Sequence, residues 1–139
     1  METRSRSFPL SAADDRVRLT DQRIDPESLI EKVQGPGHGA VVAFFGRVRD
    51  TEKGRAIRSI TYEAYIEMAI QEMEKISVEA ETRWPVRVAL EHRAGEVPVG
   101  ESSVVIACGG AHRQEAFDAC RYVIDEIKTR VPVWKVKFS

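Results

Sequence analysis

The chain reads as an α+β protein: a mostly antiparallel sheet with three helices. Three observations predict this class. Apolar residues recur at helical spacing in three segments, around residues 29–33, 66–80 and 116–127. Between them lie runs that alternate polar and apolar or are β-branched throughout, which suits strands. Short polar turns join successive strand segments, which favours antiparallel pairing. The expected order is β-α-β-β-α-β-β-α-β, in one domain over residues 14–139.

Residues 1–13 carry Arg, Ser and Glu without periodicity and are expected to form a flexible terminus. Arg16-Val17-Arg18-Leu19-Thr20 alternates, so it is a strand with one wet face. Asp25-Pro26-Glu27 opens a helix, with an acid at the N-cap, Pro in the first turn and a second acid behind it. Gly35-Pro36-Gly37 closes it. Residues 39–48 form a nearly continuous apolar run, expected to be a strand buried on both faces, with Gly46 marking a bulge or a close backbone approach. Arg47 and Arg49 lie two apart and so point to the same side. Residues 50–55 are polar and read as a hairpin tip. Residues 57–65 alternate and are expected to pair with the strand before them.

A long amphipathic helix follows, with Ile66, Ala69, Ile70, Met73, Ile76 and Ala80 on one stripe, stopping at Trp84-Pro85. Val86, Val88 and Leu90 alternate with Arg87, Ala89 and Glu91 in another strand. Residues 95–100 read as a turn. Val104, Val105 and Ile106 then form a buried strand that breaks at Gly109-Gly110. From Ala111 the period is helical again, placing Ala116, Phe117, Cys120, Val123, Ile124 and Ile127 on one face. Pro132 ends this helix near Arg130, because the residue before a proline avoids the α region. Residues 131–138 close the chain as a strand, with Lys135 and Lys137 expected on one face and Trp134 and Val136 on the other.

Composition bounds the function. With 139 residues, 42% hydrophobic and 31% charged, the chain has the make-up of one soluble domain with a real core. A net charge of −1 leaves no electrostatic footprint for nucleic acid. No run of about 18 apolar residues suggests a membrane span, and the N-terminus has no apolar signal core, so a cytoplasmic protein is expected. Cys108 and Cys120 stand at a spacing that fits no zinc or redox motif and read as packing residues. His92 has no acidic or cysteine neighbour at a metal-binding spacing and reads as structural.

The chemistry concentrates in cations. There is no phosphate loop ending in Lys-Ser/Thr, no nucleophile elbow and no His-Glu-x-x-His. What remains is Arg47, Arg49, His112, Arg113, Lys128, Lys135 and Lys137. Such a set suits a small substrate bearing phosphate or carboxylate. His112 and Arg113 stand at a helix N-terminus, where free N–H groups attract anions. Lys128 falls at the edge of the apolar stripe. It either snorkels at the rim or is desolvated enough to act on an anion. His112 and Lys128 are sixteen positions apart, about 24 Å along a continuous helix. If both serve one small substrate, a second copy of the chain completes the site.

Six segments then carry a resemblance: Phe45-Gly46-Arg47-Val48-Arg49, Tyr62-Glu63-Ala64-Tyr65, Arg83-Trp84-Pro85, His92-Arg93-Ala94-Gly95, Ala111-His112-Arg113 and Lys128-Thr129-Arg130-Val131-Pro132-Val133-Trp134-Lys135. In this order, from about Val17 to Lys135, they resemble the large (catalytic) subunit of molybdopterin synthase, the MoaE family. The resemblance implies an α/β-hammerhead-like fold. It implies a sulfurtransferase of molybdenum cofactor biosynthesis that converts cyclic pyranopterin monophosphate into molybdopterin. Both sulfurs would come from the thiocarboxylate on the C-terminal Gly-Gly of a small ubiquitin-like partner subunit. The implied assembly is a heterotetramer around a homodimer, with the His-Arg pair of one large subunit serving the other's pocket.

By motif, Arg47, Val48, Arg49, His112, Arg113, Lys128, Lys135, Val136 and Lys137 would contact substrate, with Lys128 and Lys135 catalytic. Neither a metal nor a cofactor is implied, and no nucleic acid or membrane partner. Two departures stand out. The family often has Lys where this chain has Arg47, and often carries a further tail beyond the position of Ser139. Two rival readings use the same residues: an anion-binding domain without turnover, and an RNA-binding module on Arg47 to Arg58 and the last strand. The near-neutral charge and 7% aromatic content oppose the second.

Overall fold

The computed structural model describes Leu10–Ser11 and residues 15–139; the expected flexible terminus over 1–13 otherwise lies outside the described residues. The elements are β1 (Leu10–Ser11), β2 (Val17–Thr20), α1 (Pro26–Val33), β3 (Ala40–Arg47), β4 (Thr51–Glu52), β5 (Arg55–Ala56), β6 (Ser59–Ala64), α2 (Ile66–Arg83), β7 (Val86–Arg93), β8 (Gly95–Pro98), β9 (Ser102–Gly110), α3 (Arg113–Arg130) and β10 (Val133–Phe138). A five-stranded sheet runs β1-β2-β7-β9-β3, a three-stranded sheet runs β10-β6-β8, and β4-β5 form a small hairpin. Only β2–β7 is parallel among these pairs; the others are antiparallel. The class is α+β.

The five-stranded sheet is covered on both faces. Alternate residues of β7 and β9 (Val88, Leu90, Val104, Ile106, Cys108) face α2 and α3, meeting Met73, Ile76, Ala119 and Val123. The intervening residues Ala89, Val105 and Ala107 face α1 through Leu29 and Val33. Asp25 caps α1 by accepting the Glu27 N–H at 3.2 Å. The end of α1 sits so close to β9 that a Cβ on Gly109 would run into the Val33 carbonyl. Lys53 and Gly54 take φ of 51° and 79°, as the two-residue turn of the β4–β5 hairpin requires.

Four expectations are corrected. Gly95–Pro98 is a strand rather than a turn, paired with β6. Strand β6 does not pair with β3; its partners are β10 and β8, and this separates the second sheet from the first. Strand β3 is not buried on both faces. It is the outer strand of its sheet, with Val41 at 39% and Phe45 at 41% exposure. Phe117 does not join the apolar stripe of α3. It is 59% exposed, and Ala119 takes the core position.

Candidate active site

The first part of the site lies where β9 gives way to α3. His112 is the N-cap residue in extended conformation, and its side chain makes no capping bond. Its imidazole Nδ1 lies 3.3 Å from Glu115 Oε1 and stays largely in solvent. Arg113 is exposed beside it. The first N–H groups of α3 are therefore not closed off by a side-chain cap, and two basic side chains stand at their mouth. Gly39 and Ala40, at the start of β3, line the same open groove with Ala111 and Gln114.

The second part lies at the other end of α3. Lys128 is exposed in the last turn, where a cation complements the helix carbonyls. Its charge acts on His92, at the end of β7. His92 is buried, and burial drives its pKa down from 6.5 to about 4; Lys128 pushes in the same direction, and the Arg93 carbonyl opposes it. The structural role expected for His92 fits this environment. Its ring meets Tyr62 edge-on, with centroids 6.2 Å apart. Tyr62 in turn pairs with Lys135 across β6–β10, and directly opposite residues share one side of the sheet. Lys135 and Tyr62 thus share one face of the β6–β10 pair, while the Lys128 charge bears on His92, the other ring of the pair.

The register of β10 corrects one expectation. A bulge falls between Lys135 and Lys137, so Lys135 pairs with Tyr62 while Lys137 pairs with the adjacent Thr61. Tyr62 and Thr61 point to opposite faces, so Lys135 and Lys137 do too. Val136 is the extra, unpaired residue and is 43% exposed.

The third part follows β3. Arg47 does not reach into the site. Its Nε and one terminal nitrogen donate to the Gly100 carbonyl at 3.1 and 2.6 Å, bracing the β8–β9 turn. Val48 is 3% exposed and packs with Ile60, Val97 and Tyr62. Its backbone N–H donates to the Glu101 carbonyl and its carbonyl accepts from Gly100. The Val48 side chain thus packs in the small core of the second sheet. Arg49 is exposed and makes no hydrogen bond or ion pair among the described residues.

One chain therefore sets Lys135 opposite Tyr62, whose ring meets His92, and the Lys128 charge bears on His92. It leaves His112 and Arg113 a full helix length away. Sequence reading missed Tyr62 as part of this group, since its place depends on pairing with β10, more than seventy positions later. Among the described residues no cluster of His, Cys, Asp or Glu could hold a metal, and no helix is long and apolar enough to cross a membrane. The arrangement can bind anions at two ends and stabilise a developing oxyanion between two ammonium groups.

The family described as MoaE protein matches residues 19–130. The chain is 48% identical over 110 residues to the molybdopterin synthase catalytic subunit of Pyrococcus abyssi, covering 78% of this chain and 74% of that one. Its structure is similar to molybdopterin synthase from Staphylococcus aureus, with a TM-score of 0.83 at 35% identity, covering 86% and 88% of the two chains. It is also similar to a chain in the complex of subunits 1 and 2 of the molybdopterin-converting factor from Helicobacter pylori, with a TM-score of 0.71 at 25% identity over 84% of this chain and 80% of that one.

Proposed function

Because the chain belongs to the MoaE protein family, we propose that it is the catalytic subunit of a molybdopterin synthase and acts in molybdenum cofactor biosynthesis. Its substrate is cyclic pyranopterin monophosphate. Sulfur arrives as the C-terminal thiocarboxylate of a small ubiquitin-like partner subunit. The observation that carries this reading is that Lys135 stands opposite Tyr62, whose ring meets His92, with the Lys128 charge bearing on that same histidine. The chain needs no nucleophile of its own, since the partner's thiocarboxylate brings it. Both cysteines are buried, which agrees with that division of labour.

The roles follow from position. Arg113 and His112, at the open N-terminus of α3, hold the substrate phosphate. Arg49 orients the pterin or the incoming tail. The thiocarboxylate sulfur attacks the pterin to give a thioester; water then attacks the thioester carbonyl, the C–S bond breaks, sulfur stays on the pterin and the tail leaves as a carboxylate. Lys128 and Lys135 neutralise the oxyanion of that hydrolysis and pass its protons. Lys137 lies on the opposite face of β10 and the Val48 side chain lies in the core, so neither is given a role in these steps.

The distance along α3 makes the site a product of two chains. Strand β3 supplies a route to it. It is the outer strand of its sheet and exposes Val41 and Phe45, and its start lies beside His112 while its end leads to Arg49. Antiparallel pairing of two copies along β3 about a two-fold axis sets the His112–Arg113 end of one against the Arg49 end of the other. Small subunits then complete a heterotetramer.

Two measurements test this. Purified chain and thiocarboxylated small subunit are expected to convert cyclic pyranopterin monophosphate, and Lys128→Ala is expected to abolish most of that activity; near-normal conversion by the variant removes Lys128 from the mechanism. Mixing Lys128→Ala with Arg113→Ala chains restores one intact site per mixed dimer, roughly a quarter of wild-type turnover for random mixing. Sites built within single chains would show no recovery.

A further inference from the structure

The two lysines of the site belong to separate elements, α3 and β10, and the three-stranded and five-stranded sheets share no strand. Two ammonium groups near one another repel, and long side chains swing apart into solvent unless something holds them. Tyr62 stands opposite Lys135 and packs against Val48, Ile60 and Val97. Its ring meets His92 across the seam between the sheets. The Arg93 carbonyl can only accept, so its 3.2 Å contact with Nδ1 places the His92 proton there and fixes the ring plane. His92 lies within reach of the Lys128 charge.

We propose that Tyr62 and His92 are positioning residues for Lys128 and Lys135, a rigid and uncharged wall of two rings that sets the spacing of the two ammonium groups. This rests on the role given to the lysines above. Neither ring touches the reacting atoms. Tyr62 acts on Lys135 through the strand pair, His92 acts at Lys128, and their edge-on contact ties the two placements together. A buried imidazole that stays neutral adds no third positive charge beside the lysines.

The test uses the full chain with its small-subunit partner. Tyr62→Leu is expected to lower kcat by about 10- to 100-fold, the scale of a misplacement of about 1 Å, with KM changed less than about twofold. Tyr62→Phe, which keeps the ring and loses only the hydroxyl, is expected to restore kcat. A folded Tyr62→Leu protein with wild-type kcat overturns the proposal, as does a Tyr62→Phe protein as defective as Tyr62→Leu. Should Tyr62→Leu fail to fold, Tyr62→Met keeps the bulk without the flat ring and is read in the same way.

A second readout does not depend on turnover. With lysines carrying 13C-methyl labels, Tyr62→Leu is expected to shift the NMR signals of Lys128 and Lys135 and leave Lys137, on the opposite face, unchanged. Unmoved Lys128 and Lys135 signals overturn the proposal whether or not the pterin is converted. A wild-type protein that converts no pterin overturns the functional reading instead, and the lysine spectra then decide on the ring pair by themselves.

Discussion

Acidification should weaken this protein through a single buried imidazole. His92 is 8% exposed and its pKa falls from an ordinary 6.5 to about 4, mainly because burial penalises the charged ring. Between those two values the unfolded chain binds a proton that the folded chain refuses. Stability therefore rises with pH across this window. It is fully present above 6.5 and is lost as pH falls toward 4. At about 1.36 kcal/mol per pH unit, the gap is worth about 3 kcal/mol, a large share of the ~5–15 kcal/mol that holds a domain together.

Carboxylates titrate nearby, so a bare pH profile would mix several groups. Glu79 is held low by its hydrogen bond from Arg130, while burial raises Glu91. Comparison with His92→Gln isolates the imidazole. Urea unfolding at pH 7, 6, 5 and 4 should show the variant gaining about 3 kcal/mol relative to wild type as pH falls, whatever its absolute stability. A stability difference that stays constant with pH would refute the account of His92 as a buried neutral group.

Other perturbations have equally definite outcomes. Arg130 ties α3 to α2, donating to Glu79 at 2.6 and 3.1 Å, Glu126 at 3.1 Å and Glu72 at 3.3 Å. The cluster is partly solvated, so Arg130→Met should cost only about 1–2 kcal/mol by urea unfolding, and less in about 1 M salt. Gly109→Ala drives a methyl group into the Val33 carbonyl and should cost more than about 3 kcal/mol, read as a steep fall in thermal midpoint or in soluble yield. Phe45→Glu places a charge on the exposed face of the outer strand β3. It should leave the monomer folded by circular dichroism while sedimentation shows loss of the dimer and turnover falls with it.

Much of this molecule could be read from local pattern. The stripe of Ala69, Ile70, Met73, Ile76 and Ala80 is buried as its spacing implies, because helix periodicity is a property of neighbouring residues. The Asp25-Pro26-Glu27 start and the Pro132 stop were visible for the same reason. His112 and Arg113 announced themselves as a basic pair at a helix opening, and the helix length already meant that one small substrate reaches both them and Lys128 only with a second chain. The errors share one cause. Strand β8 shows four residues with two turn-formers, Gly95 and Pro98, and only its partner β6 makes it a strand. The apolar run of β3 looks like a central strand, yet nothing in the run says that no described strand pairs with its outer edge.

The sequence alone determined the three helices, their caps and stops, the inventory of cations and the family that this ordered set of motifs resembles. These follow from contacts within a few positions, where backbone geometry decides what can form. Tertiary structure alone decided which cations meet. The bulge before Lys137 sends it to the far face, the Gly100 carbonyl takes Arg47, and Lys135 comes to stand opposite Tyr62, whose ring meets His92. Strand register and the seam between sheets join residues tens of positions apart, and side-chain periodicity carries no information about such pairings.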